Sequence, residues 1–374
     1  MIIHFSILAV ILVAASLWER RIRYGKLYCI YNDEPYDYKS NIMPWLLVFG
    51  YLAFLAAMRS GMNDTPVYIA SFQYAPGTWK KIFSIVTGDG KDKAFDVAAN
   101  LFKMFVSSDY HMWFALFAII ESGIFISVLR RESVSFLDSC YVLFTTTLYY
   151  NYFSMMRQWF AVLLLFAGAR FIKERKTVPY IILCIVAAQF HNSAYLFIPV
   201  YFLVTGRAWS LKQSLIILAS VLGLILLSPI LNVMESFLEG TTYDYVLAAM
   251  NSDSGSSIIR PIIAVVPVAI AFVYRDRIDK NNSMINVCIN MSSINFLLNL
   301  LATFTSGLYV IRLATYAGVY NLILYPYLLN VTVRGSNRRI LKAGFYILYF
   351  FFYCYQMSHQ GSLGYYSNIL GYFR

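Results

Sequence analysis

Long apolar runs separated by short polar clusters repeat along almost the whole chain, and this pattern predicts a bundle of membrane-crossing helices. Crossing hydrocarbon as a helix takes roughly 20 mostly apolar residues. Stretches of that kind are expected near 2–17, 42–58, 111–129, 134–150, 157–172, 178–190, 192–205, 213–228, 258–274, 284–306, 310–331 and 340–356, about twelve in all. The sixth and seventh are short. Gln189, His191 and Asn192 are the polar residues between them and Pro199 interrupts the second, so half-spanning or re-entrant pieces are an open alternative there.

Two intervening stretches are long, about 59–110 and 229–257. In the first, turn residues (Gly61, Pro66, Pro76, Gly77) precede a segment near 94–106 where Phe95, Ala98, Ala99, Phe102 and Phe105 share one helical face. That pattern suits a helix lying flat on the bilayer. In the second, Leu231, Met234, Phe237 and Leu238 have helical spacing and the polar run NSDSGSS follows. There is no internal repeat. The expected fold is an all-α integral membrane protein, with residues 1–374 as one polytopic domain.

Composition agrees, since 59% hydrophobic and 13% charged residues leave too little polar surface to cover a soluble core. Charge then sets orientation. Of the 30 Lys and Arg residues, two thirds fall in one set of alternate loops, including Arg20, Arg21, Arg130, Arg131, Arg338 and Arg339. The positive-inside rule makes that set cytoplasmic, which places both termini and both long loops outside. The net charge of +11 is therefore topological and does not imply nucleic acid. The first apolar run is followed, not preceded, by its charges, and reads as a retained helix. The five cysteines have no CxxC spacing, so neither a metal site nor a disulfide framework is expected.

No GxxxxGK[ST] loop, GxGxxG turn or DxD pair occurs in the cytoplasmic segments, which argues against chemistry on a nucleoside triphosphate or nucleotide sugar. A substrate already activated outside, or an ion gradient, must then supply the energy. Against the charge rule, four isolated arginines stand at outer ends of spans: Arg59, Arg157, Arg260 and Arg312. Taken singly, each is equally an interfacial anchor. Together they suggest a site for an anionic, phosphate-bearing ligand, because guanidinium matches phosphate in a bidentate way. The four histidines also fall on the outer side, and His191, beside Asn192 and Ser193, is the best placed to take a hydroxyl proton. A helix-capping histidine explains it as well. Asp64 is either a second base or the start of an Asx turn before Pro66. The tyrosines and Trp159 around 149–159 read first as an interfacial belt and second as sugar-stacking surfaces.

The segments RSGMNDTPVY, MMRQWFAVLLLFAGARFI, FHNSAYLFIPVYFL and RLATYAGVYNLILYPYL, in that order, resemble the EpsG family of Wzy-like exopolysaccharide polymerases. Met62 and Asn63 stand where a Gly-Thr pair is common in that family, and GYYSNIL replaces a Tyr-Pro-Tyr ending. The resemblance implies a GT-C-like or Wzy-like bundle in the bacterial cytoplasmic membrane. It would join oligosaccharide repeat units carried on undecaprenyl diphosphate at the outer face, with no metal or other cofactor. Its partners would be the lipid-linked donor and acceptor, membrane lipid, and a chain-length regulator and flippase. Arg59, Arg157, Arg312 and Arg260 would bind the diphosphate and stabilise the leaving group. His191 or Asp64 would deprotonate the acceptor, while Gln158, Asn192, Tyr316 and Tyr68 would orient sugar or phosphate oxygens. The rival readings are a lipid-linked oligosaccharide flippase, an O-antigen-type ligase and a membrane acyltransferase. Twelve-span transporters usually keep both termini in the cytoplasm, opposite to the charge count here.

Overall fold

A computed structural model describes residues 2–31, 41–211, 214–215, 255–305, 307–333, 336–359 and 364–371. The expected span at 213–228 and the loop at 229–257 fall, apart from their edges, outside these residues. Every regular element among the described residues is helical. The first part of the chain forms α1 (Ile2–Tyr31), α2 (Met43–Met58), α3 (Thr65–Tyr74), α4 (Trp79–Thr87), α5 (Lys93–Phe105) and α6 (Tyr110–Glu132). Next come α7 (Phe136–Thr145), α8 (Asn151–Ser154), α9 (Met156–Ala167), α10 (Ala169–Lys173), α11 (Thr177–Ala188) and α12 (Phe197–Val204). The last part holds α13 (Ile259–Val273), α14 (Ser283–Phe304), α15 (Gly307–Gly318), α16 (Asn321–Tyr327) and α17 (Ser336–His359).

Two of these, α6 and α14, are long and apolar enough to cross a membrane, and six further apolar helices have 10–17 residues. Local breaks explain several of the shorter lengths. The expected span at 134–150 stops when Thr147 takes a left-handed conformation (φ 57°), giving α7, a 3-10 turn at Leu148–Tyr150 and α8. The run at 157–172 is interrupted at Gly168, and that at 310–331 divides into α15, α16 and a π turn at Leu328–Thr332. By contrast, α6 is well bounded. Asp109 accepts from the His111 N–H (2.9 Å) at its start, and Arg130 and Arg131 complement the dipole in its last turn. Its 23 residues rise about 35 Å, enough for a bilayer core.

The chain divides into two compact units. The first comprises residues 1–168, 178–198 and 325–374. Within it α6 packs on α2: Phe125 stacks on Phe49 (5.1 Å between ring centroids) and the Ser122 hydroxyl donates to the Phe49 carbonyl (3.0 Å). A buried ionic cluster joins α7 to α17. Asp138 accepts from Lys342 (3.1 Å), Tyr346 and Asn330 (2.6 Å), so its fully buried carboxylate is paired.

The long stretch 59–110 departs most from expectation, because it folds into three helices. The face of α5 expected to lie on lipid is turned inward: Phe95, Ala99 and Phe102 are buried against Phe72, Trp113 and Phe117. The face thus finds aromatic partners on α3 and α6, each buried side chain being worth about 1.5–3 kcal/mol, while Phe105 at its end stays exposed. Lys103 fastens α5 to the end of α3, donating to the carbonyls of Phe72 (3.2 Å), Gln73 (2.7 Å) and Ala75 (2.8 Å). The exposed apolar stripe belongs instead to α4, where Trp79, Phe83 and Val86 lie on one face.

The second unit holds residues 169–177 and 199–324. Its centre is α14, whose otherwise apolar length carries buried asparagines at 286, 290, 295 and 299. Asn286 accepts from the Ala208 N–H (2.8 Å), Asn290 donates to Val204 O (2.8 Å) and Asn295 to Ala314 O (2.9 Å). Amide side chains of this kind join helices where no hydrophobic force acts between them.

Candidate functional site

The segment after α2 builds the inner half of the site. Arg59 leaves the helix with extended ψ, and its side chain folds back beneath the loop, 1% exposed. Its Nε donates to Thr65 Oγ1 (3.3 Å), Nη1 to the Ala56 carbonyl and Nη2 to the Met156 sulfur (3.9 Å), while the Phe114 ring covers the guanidinium at 4.0 Å. Thr65 in turn donates to Phe153 O (2.8 Å). Glu121, also buried, lies within electrostatic reach of Arg59. Arg59 is therefore an interior residue in this structure. Asp64 occupies the N-cap position of α3, half-buried, and offers its backbone carbonyl to the N–H groups of Val67 and Tyr68.

The C-terminal tail closes over this segment. Gly61 and Tyr366 form an antiparallel bridge, the Ser60 N–H donates to Tyr366 O (2.9 Å), the Tyr365 hydroxyl donates to Leu55 O (2.8 Å) and Ser367 to Met58 O. A side chain at position 61 would collide with the Tyr366 ring, which is why glycine stands there.

The outer half gathers around Arg157, in the first turn of α9. Its Nη2 donates to Asp96 Oδ1 (2.9 Å), its Nη1 lies 3.7 Å from Asp92 Oδ2, and its guanidinium stacks over Phe95 at 4.6 Å. Asp92 opens α5 in a left-handed conformation (φ 55°), a costly state for a non-glycine residue. Its Oδ1 accepts from the Asn192 N–H (3.1 Å), and the Ala94 N–H donates to Gln189 O (2.9 Å). The N-terminus of α5 thus ties α9 to the turn that carries His191 and Asn192. His191 is half-exposed with Nδ1 2.7 Å from Ser193 Oγ, and Asn192 is exposed. Tyr68 also approaches Phe95 (6.0 Å between ring centroids), whereas Gln158 is buried.

Burial raises the Asp96 carboxyl above the ordinary carboxylate range. Arg157 opposes the rise, Asp92 adds to it and Lys81 lowers it.

In the second unit, Arg260 lies half-buried in the first turn of α13 and Arg312 half-buried on α15. Tyr316, one turn after Arg312, is 2% exposed. Of the residues singled out from sequence, Arg157, His191, Asn192 and Tyr68 come together around one helix terminus. Asp92, Asp96 and Glu121 escaped that reading. For Glu121 a signal was present, an acid within an apolar span. For the aspartates it was weaker: four residues apart, they share a helical face.

The family model of EpsG matches residues 42–373, nearly the whole chain and every candidate residue above. The chain belongs to the EpsG family. Comparisons with curated proteins and with solved structures find no match. EpsG membership and the apolar helices together mark a helical membrane protein of exopolysaccharide synthesis. The match begins after α1, so His4, held between the hydroxyls of Tyr149 (3.0 Å) and Tyr150 (3.3 Å), lies outside the EpsG region.

Proposed function

We propose that this EpsG-family protein is a polymerase that joins oligosaccharide repeat units carried on polyprenyl diphosphate, at the outer face of the bacterial cytoplasmic membrane. The observation that carries the reading is Arg157, a partly exposed cation braced on two carboxylates and an aromatic ring beside the His191–Asn192 turn. A guanidinium in that position suits a diphosphate leaving group, whose charge grows as the anomeric carbon–oxygen bond breaks. His191 stands close by to orient the sugar, with Asn192 and Tyr68 supplying further polar contacts. Arg59 supports the loop from within through Thr65, the residue after Asp64. In the second unit, Arg260, Arg312 and Tyr316 keep their reading as anion and sugar contacts, each testable by its own substitution.

The test is reconstitution of the purified protein with its native polyprenyl-diphosphate repeat unit, without nucleotide sugar. A ladder of polymer is expected, and Arg157→Ala should abolish it while leaving a folded protein. Monomer alone from the wild type would refute the polymerase reading. Movement of the donor across the bilayer without new glycosidic bonds would favour the flippase.

A further inference from the structure

Arg157 is already occupied. Two carboxylates hold the guanidinium that the proposed function gives to the donor, Asp96 at 2.9 Å and Asp92 at 3.7 Å. The two acids are not equivalent. Asp92 is the more enclosed, with 16% of its side chain exposed, and has one oxygen committed to the Asn192 N–H. Asp96 is more open, with 36% of its side chain exposed, and its bond to Arg157 is the shorter.

We propose that Asp96 is the base that takes the acceptor's hydroxyl proton, and that the donor's diphosphate and the Asp96 carboxylate compete for Arg157. The inference rests on the polymerase reading above. As phosphate oxygens engage the guanidinium, Asp96 loses the cation that holds down its proton affinity, while its desolvation and the neighbouring Asp92 remain. The carboxylate becomes more basic when the donor has arrived. It also then lies beside the reacting centre, because the phosphate has taken the place on Arg157 that Asp96 occupied. In the step itself the acceptor hydroxyl oxygen bonds to the donor's anomeric carbon. The bond from that carbon to the phosphate oxygen breaks, its electron pair leaves with polyprenyl diphosphate, and the hydroxyl proton passes to Asp96. No other reactant is needed.

The test pairs binding with turnover in the full-length protein in lipid nanodiscs. Farnesyl diphosphate serves as the binding probe by calorimetry, and the native lipid-linked repeat unit as the substrate. Asp96→Asn removes a charged competitor for Arg157, so farnesyl diphosphate should bind several-fold more tightly while polymer formation falls by about 10²-fold or more, the usual worth of a general base. Asp96→Glu should recover part of the turnover. An Asp96 that merely fastens α5 would show the reverse in binding: its loss would loosen the site and weaken the diphosphate. Weaker or unchanged binding in a folded Asp96→Asn protein, or retained turnover, would overturn the proposal. If that variant does not fold, Asp96→Glu decides the matter, since a base displaced by one methylene must lower the maximal rate more than the apparent affinity. Wild-type protein that polymerises and binds the probe, with no gain in Asp96→Asn, sinks this inference alone. Wild-type protein that neither binds nor polymerises sinks the function with it.

Discussion

Substituting Gly61 by alanine tests the link between the two ends of the family-matched region. A Cβ at this position would fall inside the edge of the Tyr366 ring and 2.6 Å from its hydroxyl oxygen, closer than real side chains approach. Either the ring swings away or the tail lifts. Overpacking of this type costs about 1–3 kcal/mol. Lifting the tail would release the bonds from Ser60 N and Gly61 N to Tyr366 O (2.9 and 3.3 Å) and from Tyr366 N to Gly61 O (3.2 Å), each contributing about 0.5–1.5 kcal/mol net. A penalty of about 1–3 kcal/mol raises the population of open tail by roughly 5- to 150-fold. Limited proteolysis of the C-terminus reads that population directly when opening and closing are fast relative to cleavage. Gly61→Ala should therefore be nicked many times faster than wild type. Tyr366→Ala removes the obstacle, so the double variant should be nicked no faster than Tyr366→Ala alone. Wild-type nicking in Gly61→Ala, or additive effects in the double variant, would refute the steric argument.

Three further outcomes follow from the same structure. Arg59→Leu removes the donors to Thr65 Oγ1 and the Ala56 carbonyl inside the bundle and should lower the unfolding midpoint in detergent by the equivalent of about 1–3 kcal/mol, and a wild-type midpoint would disprove its structural role. Turnover should rise with pH as Asp96 ionises, with an acid limb above the ordinary carboxylate value of 3.8. Removing the negative charge of Asp92 (Asp92→Asn) should move that limb to lower pH and removing the positive charge of Lys81 (Lys81→Met) to higher pH, with Arg157 acting in the same sense as Lys81; shifts of opposite sign would exclude Asp96 as the group titrated. Finally, the exposed stripe of α4 should face lipid: an environment-sensitive fluorophore on Phe83→Cys should report an apolar surrounding in nanodiscs, and a water-like emission would contradict it.

Some of the site was legible in sequence because the features that mark it are local. A lone arginine at the start of an apolar run, in a family-like segment, singled out Arg157, and the polar residues between two short apolar runs singled out His191 and Asn192. The bounds of α6 were legible for the same reason, since an N-capping aspartate and a terminal pair of arginines act within one turn. Other residues were ambiguous because their surroundings come from afar. Arg59 looks from sequence like its fellow cations at helix ends, yet Phe114 and Met156 enclose it from α6 and α9.

Composition, hydrophobic period and charge placement thus determined that the chain is helical and membrane-like, and offered a set of polar residues as candidates for its chemistry. These properties are summed over residues or act between near neighbours. Tertiary structure alone decided which of those residues meet. Asp96 reaches Arg157 across 61 positions because α5 folds inward on its aromatic face, and Gly61 needs to be glycine because Tyr366, some three hundred positions later, lies against it. Pairings of that range depend on how helices pack, and no local pattern records them.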